Sequence, residues 1–354
     1  MPHLFEPLKI KSITLRNRIG LSPMCMYSYS DGYSNEWQLI HLGSRAAGGA
    51  GLIITEATAV EPRGRITPFD AGLWSDEHIK PLSLVTDSIK KNGAVPAIQL
   101  AHAGRKGSSR RPWEPGKPYG PGENPGWQTI GPSAIRFNDD YPVPQAMTIE
   151  DINFIKSSFI SSAKRALTAG FEWLEIHAAH GYLLHSFYSP ISNQRTDQYG
   201  VSFENRTRLV MEITCGVREV WPENLPLTVR ISGSDWFTGG WTVEDSVNLS
   251  KMLKNAGVDM IDCSSGGNAA SAVIPAGPGY QVPISEAVKH GAGIMTSAVG
   301  LISSPFHADE IIRNNRADMV LLGREMLRDP YWPLHAAQTL KQPAPIPVQY
   351  LRGF

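Results

Sequence analysis

Residues 177 to 182 read His-Ala-Ala-His-Gly-Tyr, which gathers two imidazoles and a phenol at one point of the chain. Two imidazole N–H groups can bind one carbonyl or nitro oxygen and stabilise negative charge developing there. A phenol, with an ordinary pKa of about 10, can deliver a proton to a carbanion-like carbon. His177, His180 and Tyr182 therefore suit the reduction of an activated C=C bond. A lone histidine is more often a packed core residue, but three such groups just past one apolar run favour a site. Two nearby histidines could also be metal ligands. A zinc site needs a third protein ligand, and neither HExxH nor a CxxC pair occurs.

Other chemistry-bearing residues also follow short apolar runs. They are Ser22-Pro23-Met24-Cys25-Met26-Tyr27, Glu56-Ala57, Gln99 with His102 and Arg105-Lys106, Arg230, Ser264 to Gly267, Val299-Gly300 and Gly323-Arg324. Gly300 and Gly323 would let main-chain N–H groups approach a phosphate, and Arg324 would neutralise it; ordinary turn glycines are an equal reading. Gln99 and Arg230 offer donors to a ring carbonyl or an anionic ring nitrogen, or form a satisfied buried polar pair. The set suits a large, flat, polar-edged cofactor better than a small aldol-type substrate.

The elements that must hold these groups are legible in outline. Strands are expected near Ile19–Ser22, Gly51–Thr55, Val95–Leu100, Trp173–His177, Leu227–Ile231, Met260–Cys263, Gly293–Ser297 and Met319–Leu322. Helices are expected near Glu36–Ala47, Asp76–Asn92, Ile149–Ala169, Phe203–Trp221, Val243–Asn255, Ser285–His290, Pro305–Asn314 and Pro330–Lys341. Thr148 with Asp151, and Thr242 with Asp245, have the spacing of helix starts. Gly93, Gly170 and Gly257 follow helical stretches, where a left-handed cap favours glycine. Buried runs alternating with helices imply parallel βαβ units, and eight of them imply a closed (β/α)₈ TIM barrel, an α/β fold with active sites at the strands' C-terminal ends. An open doubly wound sheet is the alternative, but its GxGxxG fingerprint is missing. Residues 101–147 form a long Pro-, Gly- and aromatic-rich loop after the third strand, read as an insertion or a lid over the barrel mouth. Residues 264–282 form a second loop, with glycines that could let it move or wrap a ligand.

Composition narrows the function classes. With 42% hydrophobic residues and no apolar run of membrane length, neither a disordered chain nor a membrane span is expected. Basic and acidic residues balance at 33 each without a basic tract, so nucleic acid and anionic membranes are not expected partners. Cys25, Cys215 and Cys263 are read as free thiols of a reducing, cytoplasmic compartment, the last two as core. No segment resembles a signal peptide or a domain linker, so residues 1–354 are expected to form one domain.

Across its whole length the chain resembles the Old Yellow Enzyme flavoprotein family, in particular its thermophilic-like NADPH dehydrogenase and xenobiotic reductase branch. The resemblance lies in Leu4-Phe5-Glu6-Pro7-Leu8, Leu15-Arg16-Asn17-Arg18-Ile19, Ser22 to Ser28, Gln99 to Lys106 and His177 to Leu184. It continues in Ser192 to Gly200, Phe203-Glu204-Asn205-Arg206, Ala298 to Ile302 and Leu322-Gly323-Arg324. It implies non-covalent FMN and a ping-pong cycle. NADPH or NADH reduces the flavin, and hydride then passes from N5 to the β-carbon of an α,β-unsaturated carbonyl or nitro compound. On the matching positions, His177 and His180 hold the activating oxygen and Tyr182 is the proton donor. Ser22, Pro23, Met24, Cys25, Ala57, Gln99, Arg230, Val299, Gly300, Gly323 and Arg324 fall where the family binds FMN. Cys25 replaces the hydroxyl residue of other branches and would tune the flavin. Tyr27 helps close the substrate pocket. Arg352, in the tail 342–354, matches an arginine that enters the neighbouring subunit's site, implying a homodimer or a dimer-based homotetramer. Phe354 stands where the branch more often has Trp.

Two other readings stay open on the residues alone. One is a flavin-free barrel lyase or isomerase using Arg324 for a substrate phosphate, although most strand ends lack a lysine or metal ligands. The other is a flavin-carrying protein without turnover, against which the intact His177, His180 and Tyr182 set argues.

Overall fold

A run of small and β-branched apolar residues flanked by helices can only be a strand covered on both faces, and this governs the architecture. The computed structural model describes residues 3–353. Eight parallel strands, β1 Ile19–Leu21, β2 Leu52–Ala59, β3 Val95–Ala101, β4 Trp173–Ala178, β5 Leu227–Ser232, β6 Met260–Ser264, β7 Met295–Ala298 and β8 Met319–Leu322, pair in chain order. The ring closes where β8 pairs with β1, Val320 opposite Ile19 and Leu322 opposite Leu21. Closure leaves no exposed edge among these strands. The fold is the (β/α)₈ TIM barrel that the alternation predicts.

Helices α1 Glu36–Ala47, α2 Ile79–Lys91, α3 Ile149–Thr168, α4 Phe203–Val220, α5 Val243–Asn255, α6 Val282–Ala292, α7 Pro305–Arg313 and α8 Trp332–Leu340 lie outside the barrel. Thr148–Asp151 and Thr242–Asp245 form reciprocal capping boxes, satisfying main-chain donors at the starts of α3 and α5. Gly93, Gly170 and Gly257 follow helix ends with φ of 75°, 89° and 85°. Helix α6 starts three residues before the expected Ser285, because Pro283 fits a first turn whose N–H has no partner anyway.

Three further features depart from expectation. A hairpin, Leu8–Ile10 with Ile13–Leu15, precedes the barrel. Its Leu8, Ile10 and Leu15 pack with Leu52, Ala97, Trp173, Met260 and Met319, and so plug the N-terminal end. Strand β2 continues past Thr55 to Ala59, with an irregularity in its pairing to β3 between Ile54 and Ala57. Glu56 and Ala57 are thus inside the strand, not after it. Cys215, expected in the core, is exposed. On α4 the buried face is carried by Ile213, Thr214 and Val217, and Cys215 turns away from it. Cys263 is buried on β6, as expected. Phe354 lies outside the described residues. Among the described residues, no helix is long and apolar enough to cross a membrane.

Candidate active site

The loop after β3 crosses the C-terminal end of the barrel. Lys106 Nζ donates to His180 O at 2.8 Å and Gly267 O at 2.9 Å. Arg105 donates to Asn268 O at 2.7 Å and Oδ1 at 2.8 Å. The loops after β3, β4 and β6 are thereby tied together, with Gly266 and Gly267 fixed in left-handed conformations (φ 70° and 89°).

Within that frame the predicted trio comes together. The His177 ring centroid is 5.1 Å from that of His180 and 5.2 Å from that of Tyr182, both edge-on. His177 ends the barrel wall on β4, whereas His180 and Gly181 form a tight turn at φ 61° and 74°. His180 Nε2 is 2.7 Å from Ser264 Oγ. Among the described residues, His177 Nδ1 is buried without a partner. Burial, followed by the charge of Arg230, pushes both imidazoles well below their ordinary pKa. They are neutral donors and acceptors at physiological pH. Burial, then the neighbouring Cys25 and Tyr27, pushes the Tyr182 phenol well above its ordinary value, so it keeps its proton. Lys106 Nζ lies 5.1 Å from the Tyr182 ring. Burial, then Arg105, brings that lysine down to about 8.

Inside the barrel lies a polar layer. Gln99 Nε2 donates to Glu175 Oε1 at 2.8 Å. Arg230 Nε stands 2.9 Å from Asp262 Oδ2. Gln99 and Arg230 are thus each held by a carboxylate rather than by one another. Burial, then Asp262, lifts Glu175 to about 8, with Arg230 opposing.

The β1 loop contributes the half-buried stretch from Pro23 to Tyr27. It is held from β2: Glu56 Oε2 accepts from Met26 N at 2.8 Å. Burial raises this carboxyl to about 8, the Met26 amide opposing. Tyr27 takes a left-handed φ of 51° there and meets Trp113 of the β3 loop edge-on at 5.9 Å. Cys25 is kept as a thiol, its pKa pushed up by burial and then by Asp70 and Glu56. Ala57 lies opposite Gln99 in the sheet.

A cavity of about 440 Å³ opens beside this cluster. Val299, Gly300, Gly323 and Arg324 line it, as does Ser264, the neighbour of His180. Ser22 and Met24 adjoin it, since a Cβ on Gly323 would lie 3.4 Å from Met24 Sδ. Gly300, at φ 131°, admits no side chain without meeting Gln281 Nε2 and Tyr280 Cε1 at 3.1 Å. Tyr280, Gln281 and Arg328 also line the cavity and escaped the sequence reading. Gln281 links Val299 O (2.9 Å) to Ser265 Oγ (2.7 Å), a bridge that no short motif announces. Arg352 is exposed, and among the described residues no hydrogen bond or ion pair joins it to this cluster. Nor, among those residues, do three or more His, Cys, Asp or Glu side chains converge to hold a metal ion.

The arrangement fits FMN. A main-chain cradle with exposed Arg324 and Arg328 suits a phosphate, a site common between the last two strands of this fold. Arg230 and Gln99 supply buried polar groups for a flat ring.

Comparison with known proteins agrees. Residues 3–342 match the model of the NADH:flavin oxidoreductase / NADH oxidase family. The chain is 49% identical to an NADPH dehydrogenase of Geobacillus thermodenitrificans over 99% of this chain and 98% of that one. It is 46% identical to an NADPH dehydrogenase of Bacillus subtilis over 99% of each. Among solved structures, morphinone reductase superposes with a TM-score of 0.80 at 26% identity, over 97% of this chain and 91% of that one. The chain belongs to the NADH:flavin oxidoreductase / NADH oxidase family, and it is an FMN-dependent NAD(P)H oxidoreductase of the Old Yellow Enzyme type.

Proposed function

We propose that the protein is an ene-reductase acting on α,β-unsaturated carbonyl and nitro compounds. The observation that carries this is the unpartnered, buried Nδ1 of a neutral His177, beside His180 and a protonated Tyr182. Val299, Gly300, Gly323 and Arg324 would hold the phosphate of FMN; Ser22, Pro23, Met24, Cys25, Ala57, Gln99 and Arg230 would line its ring system. The chemistry supplied by bound FMN is hydride transfer, from NADPH or NADH in one half-reaction and to the β-carbon of the acceptor in the other.

The protein's own groups do the rest. His177 and His180 bind and orient the carbonyl or nitro oxygen, and as neutral donors they strengthen their hold as negative charge grows on it. Tyr182 delivers its proton to the α-carbon. Tyr27 closes one side of the substrate space and the β3 loop covers another. On this reading residues 1–354 act as one FMN-binding domain in the cytoplasm, with no nucleic-acid or membrane partner. Copies pair as a homodimer or a dimer-based homotetramer, in which Arg352 of the tail enters the neighbouring site.

The test is Tyr182→Phe in a stopped-flow spectrometer. Bleaching of the flavin band by NADPH should proceed within about twofold of wild type. Reoxidation by cyclohexenone should slow by about 100-fold or more, the range of a lost general acid. Equal loss in both half-reactions would remove Tyr182 as the specific proton donor.

A further inference from the structure

We propose that His185 and Asp235 are a positioning pair that sets the turn carrying His180 and Tyr182, by keeping the imidazole proton of His185 on Nε2. This rests on the roles given above to His180 and Tyr182.

The turn is unusual. His180 and Gly181 are consecutive left-handed residues (φ 61° and 74°). Histidine in that region is strained, so the conformation persists only where its surroundings over-determine it. Its main-chain groups are held one by one. His180 N donates to Ser232 Oγ at 2.8 Å, Tyr182 N to Ala179 O at 3.2 Å, and His180 O accepts from Lys106. Gly181 N donates to His185 Nδ1 at 2.8 Å. This last bond depends on which nitrogen of a ring carries a proton.

A ring nitrogen that accepts is unprotonated, so the His185 proton sits on Nε2. Nε2 stands 2.9 Å from Asp235 Oδ1 in a bent approach, with both side chains fully buried. The other carboxylate oxygen, Oδ2, accepts from Ser189 Oγ at 2.6 Å and Trp241 N at 2.8 Å. The ring also stacks on Tyr188 at 4.7 Å, which fixes its plane. The chain of command therefore runs from Asp235, through the tautomer of His185, to the Gly181 amide between His180 and Tyr182.

Asp235→Asn changes this without changing volume. Ser189 and Trp241 require an acceptor at Oδ2, so the carboxamide oxygen must occupy that position. Its NH₂ then faces His185 Nε2, which must become the acceptor. The ring proton moves to Nδ1 and opposes the Gly181 N–H.

The experiment uses ¹⁵N-histidine-labelled, FMN-loaded protein. Long-range ¹H–¹⁵N correlation should show His185 protonated on Nε2 in the wild type and on Nδ1 in Asp235→Asn. The same variant should lose about 10- to 100-fold in its rate of reoxidation by cyclohexenone and in its affinity for p-hydroxybenzaldehyde, the scale of a misplaced site. A second pair of variants needs no change at Asp235. His185→Asn puts an oxygen in the place of Nδ1 and should stay within about threefold of wild type, whereas His185→Gln, lacking it, should match Asp235→Asn. A wild-type proton on Nδ1 would overturn the proposal. So would a reversed tautomer with unchanged phenol affinity and reoxidation, or His185→Asn as impaired as His185→Gln. If Tyr182→Phe reoxidised normally, the proton-donor role would fall, while the tautomer and phenol results, which need no proton from Tyr182, would still judge this pair.

Discussion

Gly181→Ala tests how closely the loops after β4 and β6 are fitted. A Cβ at 181 would lie 2.1 Å from Gly267 O, 2.7 Å from Gly267 C and 2.8 Å from Asn268 Cα. These are main-chain atoms, so no side chain can swing aside. Gly267 O is itself pinned by Lys106 at 2.9 Å. Alanine at φ 74° adds about 1–2 kcal/mol of backbone strain, and the collision adds about 1–3 kcal/mol of overpacking. The sum, roughly 2–5 kcal/mol, corresponds to a melting point lower by roughly 3–7 °C in a chain of this size. Relief can come only by parting the two loops, which separates His180 from Ser264, now 2.7 Å apart. The assay pairs thermal unfolding of the FMN-loaded protein with a p-hydroxybenzaldehyde titration followed by flavin absorbance. Phenol affinity should fall by about tenfold, the value of one lost hydrogen bond at the oxygen site. A variant melting within about 1 °C of wild type with unchanged phenol affinity would refute the account of the turn.

Glu56→Gln should flatten part of the pH dependence of stability. The folded carboxyl titrates at about 8 against an ordinary 4.5, so between those values the unfolded chain releases a proton that the folded one keeps. Its contribution is complete below 4.5 and is lost as pH rises through 8. Glutamine still accepts from Met26 but cannot ionise, so urea midpoints from pH 5 to 8 should decline less steeply, by up to about 1.4 kcal/mol per pH unit. A slope equal to wild type would locate the titration elsewhere; Asp70 and Glu175 contribute in the same direction and remain in the variant. Arg324→Gln should raise the FMN dissociation constant by about tenfold or more, the value of a charge-assisted phosphate contact. Flavin fluorescence on dilution measures this, and an unchanged constant would remove Arg324 from the phosphate.

The barrel was legible because its strands are buried on both faces and its helices carry caps. Val243–Asn255 is expected and found to the residue, since Thr242 and Asp245 bracket its start. What failed to announce itself was whatever depends on distant residues. The hairpin strands are three residues each, too short for a periodic signal. The end of β2 was hidden because its irregular pairing near Glu56 breaks the expected pattern. Cys215 misled because a cysteine in an apolar-rich helix is usually packed, and only the helix's rotation decides otherwise. In the site, the His177–Tyr182 cluster was compact enough to read directly. Gln281 and Tyr280 reach the neighbouring cavity, beside Val299 and Gly300, from a loop whose path the residues alone do not set.

The loop after β3 is divided in how it is held. Gly104 to Ser109 is stitched into the barrel mouth, and Trp127 returns to it through Arg63 O at 3.0 Å. Between them, Pro112, Trp113 and residues 115–117 and 121–125 face solvent. The anchored part carries the lysine that braces the His180–Tyr182 turn, while the outer part meets Tyr27 through Trp113. Under the proposed function, substrate range can drift, or be bred in a directed-evolution library, by rewriting that outer arc alone. The scaffold separates what must be inherited from what can be improvised, and both lie on one connection between a strand and its helix.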